Sequence, residues 1–186
     1  MNILEKFTAF LFAESHCSMA RQIGFNSHAL RFTTMILSIC LLCISAISQA
    51  QTQLGAGIAG EAAYDESGRS VSLSSDGKRL AIGATGNDGN GLESGHVRVY
   101  QWSGTAWSQL GIDIEGEAIY DESGRSVSLS SDGNRLAIGA AGNDGNGLES
   151  GHVRVYEWSD TAWTQLGADI DGEAAYDESG RSVSLS

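Results

Sequence analysis

The sequence has no proline, and its three cysteines all lie before residue 50. The rest of the chain therefore offers neither a disulfide framework nor a thiolate metal site. Positive charge is scarce there, because residues 51–186 carry all but two of the 23 acidic side chains but only eight of the 11 basic ones. Such an acidic surface repels phosphate backbones, so nucleic acid is not expected as a partner.

Long apolar runs are absent except for one of 13 residues at 35–47. Arg31 precedes this run and Ser48-Gln49-Ala50 follows it, which is typical of a secretory signal peptide cleaved after Ala50. As a helix the run would span about 20 Å, less than the hydrocarbon core of a membrane at about 30 Å. We therefore predict a leader at 1–50 with a signal helix, no stable membrane span after cleavage, and a secreted or cell-surface protein. Retention as a membrane anchor is the alternative, and Met19 is a second candidate start.

Repetition dominates the remainder of the chain. Residues 53–108 and 109–164 differ at nine of 56 positions, and residues 165–186 begin a third copy. Near-identity at such a period identifies tandem structural units. We therefore treat 51–186 as one repeat domain.

Each copy predicts four short strands and no helix. Alternation of polar and apolar residues and runs of β-branched residues indicate the strands, and Asp76-Gly77 is typical of a tight hairpin turn. The predicted strands are 70–74, 79–83, 96–102 and 106–110 in the first copy, and 126–130, 135–139, 152–158 and 162–166 in the second.

Four antiparallel strands in every 56 residues are typical of a β-propeller blade. We predict an all-β fold with about two and a half four-stranded blades. A parallel β-helix is the alternative, although it does not need a hairpin within each repeat. Residues 51–55 match a fourth strand and 183–186 a first strand, each without its partners. Because a propeller needs about four or more blades, we expect further blades of the same protein.

Three short motifs carry a family resemblance. Gly68-x-Ser70-Val71, Gly83-Ala84 and the run from Gly95 to Tyr100 recur 56 residues later. They resemble FG-GAP repeats, the blades of integrin α-subunit propellers and of many bacterial surface proteins. The resemblance covers essentially all of 51–186 and implies extracellular adhesion or ligand binding, without a particular ligand.

The chain departs from the family pattern at three points. Ser67 replaces the family's aromatic residue, and Thr85 replaces its proline. The acidic calcium loop of the family is reduced to Ser75-Asp76-Gly77, which offers too few oxygen ligands for a hard cation. Calcium binding therefore cannot be carried over to that loop.

A second loop, at 86–95, makes calcium a candidate cofactor, and no other cofactor is expected. Its side chains offer oxygen ligands in a glycine-rich segment, and backbone or water would supply the rest of the six to eight that calcium takes. A plain turn rich in Asn and Asp is the alternative. The candidate ligands are Asp88, Asn90 and Glu93, and Asp144, Asn146 and Glu149 in the second copy.

Four tryptophans form a candidate ligand surface. Exposed indoles stack on sugar rings, whereas packing between blades is the alternative for residues beside hairpin turns. These candidates are Trp102, Trp107, Trp158 and Trp163.

The remaining polar candidates favour a structural role. His96 and His152 lie in strands beside valine with no cysteine nearby, so we expect packing rather than metal ligation. The segment Tyr64-Asp65-Glu66, repeated at 120 and 176, places paired carboxylates in a connection that we expect to be solvated. Carboxylate pairs can perform acid–base chemistry, but an identical pair in every repeat argues against a unique catalytic site. We predict no enzyme.

Taken together, these features predict an exported, acidic, non-catalytic repeat protein that binds a protein or glycan outside the cell. One alternative is a fragment of a propeller-fold, glycan-active enzyme whose catalytic residues lie outside this chain. Another is a purely structural extracellular array. Near-identical copies favour the non-enzymatic interpretations, because one surface presented many times suits weak multivalent binding.

Overall fold

A computed structural model describes residues 51–186 of the chain. The predicted leader, its signal helix and its cleavage site lie outside these residues. The described part consists of strands and loops with no helix, and accordingly none of its segments is a helix able to cross a membrane.

Within residues 51–186, ten strands form two antiparallel sheets. The first sheet, blade 1, contains β1 (Ser67–Leu73), β2 (Arg79–Ala84), β3 (His96–Trp102), β4 (Trp107–Gln109) and β5 (Ile114–Glu115). The second, blade 2, contains β6 (Ser126–Leu129), β7 (Arg135–Ala140), β8 (His152–Trp158), β9 (Trp163–Gln165) and β10 (Ile170–Asp171). These antiparallel sheets are β-propeller blades, which confirms the all-β prediction and excludes the parallel β-helix.

Each blade has five strands rather than the four predicted. Blade 1 follows the order β1-β2-β3-β4, and β5 pairs with the same edge of β3 as β4 does. Tyr100 faces Gln109, but Val97 faces Ile114, so two residues are looped out between β4 and β5. The predicted fourth strand, 106–110, corresponds to β4, and β5 is an additional strand that was not predicted. Because β5 and β10 belong by sequence to the next copy, each blade is completed by the start of the repeat that follows it.

The buried core lies between the two blades. Along β6 the side chains alternate, so that Val127 and Leu129 are buried while Ser126 and Ser128 are only half-buried. Burying such side chains stabilises each by about 1.5–3 kcal/mol. The core residues are Ala81, Val97, Val99 and Ile114 of blade 1 and Val127, Leu129, Leu136, Ile138 and Tyr156 of blade 2.

Two glycines bring the blades into backbone contact. A Cβ on Gly83 in β2 would lie 2.1 Å from the carbonyl oxygen of Gly124, so only glycine fits. The Ser70 hydroxyl donates a hydrogen bond of 2.7 Å to the same carbonyl. The contact recurs one repeat later between Gly139, Gly180 and Ser126. The Gly-x-Ser-Val and Gly-Ala motifs thus form the joint between successive blades.

Residues 51–55 and 183–186 are not strands, contrary to the expectation of an orphan strand at each position. A strand is defined by hydrogen-bonded pairing with a neighbouring strand, and neither segment has such a neighbour among the described residues. The backbone N–H of Leu185 nevertheless donates to Ser128 Oγ at 2.9 Å. The N–H of Leu129 donates to Ser72 Oγ at the same distance. The third copy therefore begins to pack on blade 2 as blade 2 packs on blade 1.

Candidate functional site

A cleft of about 440 Å³ opens on blade 2. One wall is the connection at 119–125 that leads into β6, and the other is the loop at 141–149 that follows β7. Hydrogen bonds join the walls at the base, where the N–H of Gly142 donates to the carbonyl of Asp121 at 3.2 Å. The lining residues are Ile119, Tyr120, Glu122, Arg125, Ala141, Gly142, Asp144, Leu148, Glu149 and Glu178.

Tyr120 is held in an uncommon backbone conformation at the edge of this cleft. Its φ is +63°, in the left-handed region, and 51% of the residue is exposed. Bulky residues adopt this conformation rarely, and such strain concentrates at functional sites. The copies repeat it, since Tyr64 and Tyr176 have φ of +71° and +67° and are exposed as well.

The aspartate that follows each tyrosine fixes this bend. Asp121 is buried, and its Oδ2 accepts hydrogen bonds from the N–H of Ala118 at 3.0 Å and from Asn143 Nδ2 at 3.2 Å. Asp65 is buried in the same way and accepts from the N–H of Ala62 at 2.8 Å. The expectation of a fully solvated carboxylate pair is therefore wrong for both aspartates, because the backbone N–H groups of the bend need an acceptor.

The cleft combines apolar surface with negative charge. Ile119, Tyr120 and Leu148 are exposed. Arg125 is the one basic residue of the lining, and it forms an ion pair with Glu122. The acidic lining residues are Glu122, Asp144, Glu149 and Glu178.

The same lining recurs one repeat earlier in the sequence. The positions 56 residues before the lining of the cleft carry the same residue at eight of ten places. The exceptions are Ala63 in place of Ile119 and Thr85 in place of Ala141. Each blade therefore presents a nearly identical set of exposed aromatic, apolar and acidic side chains.

A second cluster, which the sequence interpretation missed, surrounds each histidine. His96 begins β3 and is 1% exposed, and its Nδ1 lies 3.7 Å from Asp113 Oδ2 and 4.0 Å from Glu61 Oε2. Arg98 lies beside it, with its Nη1 3.5 Å from Glu61 Oε1. We call Glu61, His96 and Asp113 the blade 1 triad.

The blade 2 triad has the same geometry. His152 Nδ1 lies 3.7 Å from Asp169 Oδ2 and 3.9 Å from Glu117 Oε2. Burial, together with the positive charge of Arg154, lowers the pKa of His152, although Asp169 and Glu117 oppose the shift. The imidazole is therefore neutral near pH 7. In each triad the three ligand atoms lie within 4.8 Å of one another.

The spacing within a triad explains why it was missed. The glutamate precedes the histidine by 35 residues, and the aspartate follows it by 17. No short motif joins them, and only the return of β5 along the edge of β3 brings the aspartate to the histidine. The recurrence of all three residues at the 56-residue period was the one available signal.

Comparison with known families decides which repeat this is. The family model of the FG-GAP repeat matches residues 59–100 and 115–156. The chain is an FG-GAP repeat protein. The two matched segments are offset by one 56-residue period and each extends to the last tyrosine of the third strand of a blade. A comparison with curated proteins gives no match.

The loop that binds calcium in FG-GAP repeats does not fit calcium in this chain. Asp76 is its only carboxylate, and its Oδ1 accepts hydrogen bonds from Ser74 Oγ at 2.8 Å and from the N–H of Lys78 at 3.0 Å. In blade 2, hydrogen bonds from Ser130 and Asn134 lower the pKa of Asp132 to about 2. Both carboxylates are bound within their own turns, and the other oxygen ligands of a hard cation are missing.

The predicted calcium ligands of the second loop cross-link the FG-GAP blade. Asp88 Oδ1 accepts from the N–H of Glu93 at 2.8 Å. Asn90 Nδ2 donates to the carbonyls of Gly116 and Glu117, both at 2.9 Å. The second copy repeats these bonds with Asp144, Asn146 and Glu149. These hydrogen bonds explain the aspartate and asparagine of each loop, because the two side chains support the loop backbone and its contact with the following segment. Calcium binding by these residues stays a prediction.

The four tryptophans form one pair in each FG-GAP blade. The ring centroids of Trp102 and Trp107 lie 5.3 Å apart, and those of Trp158 and Trp163 lie 5.5 Å apart. A Cβ on Gly111 would lie 3.1 Å from the Trp158 ring, and Trp163 Nε1 donates to the carbonyl of Leu110 at 3.0 Å. The Trp158–Trp163 pair therefore packs against the segment between β4 and β5 of blade 1. All four indoles remain half-exposed, and sugar binding by them stays a prediction.

Proposed function

We propose that this chain is a secreted or cell-surface, non-catalytic FG-GAP repeat protein that binds an extracellular protein through its repeated clefts. The observation that carries this proposal is the exposed Tyr120 beside an acidic, partly apolar cleft on blade 2, whose lining residues recur at eight of ten equivalent positions in blade 1. Tyrosine anchors contribute strongly to binding because they bury a large rigid area at low entropic cost.

The charge of the cleft favours a basic ligand. Four acidic residues line it; Glu122 pairs with Arg125 and Glu178 with Arg181, so that within the described residues Asp144 and Glu149 have no basic partner. A ligand segment that alternates basic and apolar residues would neutralise the free carboxylates and cover Tyr120 and Leu148. Complementary charge would also accelerate the encounter. A protein segment therefore fits the cleft better than a neutral glycan does.

Repetition supports a role in multivalent binding. Each cleft is small, so a single contact would be weak, but linked sites raise the overall affinity by effective concentration. Near-identical residues in both blades suit a ligand that is itself repeated. An enzyme would be expected to carry, in one blade, an acidic, basic or histidine side chain that the other blade lacks. The two linings differ only by Ala63 in place of Ile119 and Thr85 in place of Ala141.

Fluorescence anisotropy with three labelled probes tests the binding role. The probes are a Lys/Leu peptide, a Glu/Leu peptide of equal length and a neutral oligosaccharide. We expect the full chain to bind the basic peptide, and Tyr120→Ala to weaken binding at least about fivefold, because an anchor residue contributes about 1 kcal/mol or more. Thr164→Ala, exposed and outside the cleft, is the matched control.

Two results would count against this function. Equal binding of the acidic and basic peptides would remove the argument from charge, and absence of binding to all three probes would favour a purely structural array. Binding of the oligosaccharide, lost in Trp158→Ala but kept in Tyr120→Ala, would move the site to the tryptophan pair.

Export is tested separately from binding. If the predicted leader directs secretion, the protein collected from the medium begins at Gln51. N-terminal sequencing of the medium and cell fractions measures this directly. Protein found only in the cells, beginning at Met1 or Met19, would contradict the secreted location without affecting the cleft.

A further inference from the structure

The two triads hold their carboxylates in a fixed orientation. In blade 2, Arg154 Nη1 lies 3.5 Å from Glu117 Oε1, and Gln165 Nε2 donates to Asp169 Oδ1 at 2.6 Å. Each carboxylate thus uses one oxygen for a neighbouring side chain and directs the other toward His152 Nδ1. Outer contacts of this kind orient the ligands of protein metal sites.

The blade 1 triad has the same outer contacts. Arg98 contacts Glu61 Oε1, and Gln109 Nε2 donates to Asp113 Oδ1. The arrangement is therefore built twice, from residues at the same positions of two repeats. Because these residues are identical in the two repeats, both triads fix all four carboxylate oxygens in the same way.

The histidine supplies an independent observation. The His96 side chain is 1% exposed, and both of its ring nitrogens are buried without a hydrogen-bond partner among residues 51–186. A buried polar atom without a partner costs about 1–3 kcal/mol. A bound group at Nδ1 would remove part of that cost, and Nδ1 faces the two free carboxylate oxygens.

The distances suit a small cation between the three atoms. A tetrahedral ion bonded to nitrogen and oxygen ligands at about 2.1 Å keeps those ligands about 3.4 Å apart. The observed separations from His96 Nδ1 are 3.7 Å to Asp113 and 4.0 Å to Glu61. Completing the geometry requires these two distances to shorten by about 0.6 Å for Glu61 and about 0.3 Å for Asp113. The two carboxylate oxygens, which lie within 4.8 Å of each other, must also approach, and Glu61 is exposed enough to move.

We infer that each triad binds one divalent transition-metal ion of the Zn²⁺ type, held by a glutamate, a histidine and an aspartate with water in the open position. The imidazole nitrogen distinguishes this ion from calcium, which takes oxygen ligands and needs six to eight of them. The carboxylates are 24–48% exposed in their side chains, so the ion can enter from solvent.

The bound ion would act as a clamp between repeats. Glu117 lies in the connection that leaves blade 1, His152 begins β8 of blade 2, and Asp169 immediately precedes β10. One ion would therefore fasten three segments that are far apart in sequence. An ion that binds only the folded arrangement raises the melting temperature, and the stabilisation grows with the logarithm of the ratio of the ion's concentration to its Kd.

Titration of the full chain with Co²⁺ and Zn²⁺ tests this inference. The thiols of Cys17, Cys40 and Cys43 are first alkylated, so that they cannot bind the ions. The parent chain should bind two more ions than His96→Gln/His152→Gln, and either single variant should lose one. Co²⁺ should give visible absorption bands of a nitrogen- and oxygen-bound ion, and Ca²⁺ at equal concentration should not displace it.

A conservative variant separates loss of ligation from loss of folding. Asp169→Asn keeps the shape of a half-exposed side chain, and we expect at least about tenfold weaker binding at one of the two sites. Glu157→Gln, an equal change of charge outside the triads, is the control and should bind as the parent does. The inference is overturned if the double histidine variant binds as many ions as the parent, or if Asp169→Asn and Glu157→Gln bind alike.

Discussion

Strands β1 and β6 have the same central sequence but different surroundings. Val71 and Leu73 of β1 are 61% and 56% exposed, whereas Val127 and Leu129 of β6 are 8% and 5% exposed. Both strands form the same hairpin with the strand that follows. The difference arises because blade 1 lies against the apolar face of β6, while the described residues place nothing over that face of β1.

The comparison shows where the stability of a repeat originates. The hairpins and turns form from local sequence, but the apolar face is buried only by a neighbouring blade. Stability in such arrays is approximately a sum of terms within repeats and terms between neighbours. Substitutions that change only the contact between blades should therefore have different effects at equivalent positions of the two copies.

The largest effect is expected from Gly83→Ala. The new Cβ would lie 2.1 Å from the Gly124 carbonyl oxygen. Because this oxygen belongs to the backbone and cannot rotate away as a side chain can, the two blades must separate. We expect a loss of unfolding free energy of about 3 kcal/mol or more, measured by urea denaturation. Gly104→Ala is the control, because a Cβ there has nothing within 4 Å and only its φ of +98° is unfavourable. That variant should lose about 1 kcal/mol, and equal losses would contradict the backbone contact.

A matched pair of leucines measures the apolar contact between blades. Leu129→Ala removes a buried side chain and should lower the unfolding free energy by about 2.5 kcal/mol. Leu73→Ala removes the same group from a position that is 56% exposed and should cost below about 1 kcal/mol. Urea denaturation measures the unfolding free energy of both variants. A larger loss of unfolding free energy for Leu73→Ala would contradict the burial of Leu129 between the blades.

A matched pair of arginines tests the polar contact. Arg79 Nη1 donates to the Gly133 carbonyl at 2.9 Å and to Asn134 Oδ1 at 2.7 Å, both in blade 2. Arg135, its equivalent, contacts Glu157 in its own blade. Arg79→Ala should therefore cost about 1 kcal/mol and Arg135→Ala below about 0.5 kcal/mol. Melting temperatures of the two variants would rank them, and a greater loss for Arg135→Ala would contradict the bridge.

The smallest effect concerns Asp76 and Asp132, whose carboxylates accept hydrogen bonds within their own turns. Hydrogen bonds lower the pKa of Asp76 below its ordinary 3.8 and that of Asp132 to about 2. Because the unfolded chain binds protons more readily, the stability contributed by these carboxylates is present above about pH 4 and is lost as the pH falls toward 2. NMR titration of the two carboxyl groups should find both below 3.8, and a value at or above 3.8 for Asp132 would contradict the turn geometry.

Features determined by neighbouring residues were predictable from the sequence. The alternation of polar and apolar residues along β1 and the Asp76-Gly77 turn predicted the hairpins. The 56-residue repetition predicted the tandem blades. The fifth strand, β5, was not predictable, because its two residues are a strand only through their pairing with β3. The burial of His96 beside Asp113 depends on the same pairing.

The candidate sites were predictable only in part. The glycine-rich loop containing Asp88 and Asn90 was predicted as a polar loop, but its hydrogen bonds to the following segment depend on residues far along the chain. The exposure of Tyr120 and the burial of Asp121 beside it follow from a backbone bend that no residue preference indicates, since tyrosine rarely has positive φ. A site that forms between repeats cannot be predicted from one repeat alone, because part of its contacts come from the neighbouring repeat.

Hydrogen exchange of the two equivalent hairpins tests most directly whether a neighbouring blade provides the stability. The segments at 67–77 and 123–133 are identical, so peptides must extend through Lys78 or Asn134 to be distinguished by mass. We predict that the amides of β6 exchange at least about tenfold more slowly than those of β1, a difference of about 1.4 kcal/mol in local opening. Equal exchange in both strands would show that each hairpin is stabilised by its own sequence, and would contradict stacking of the blades.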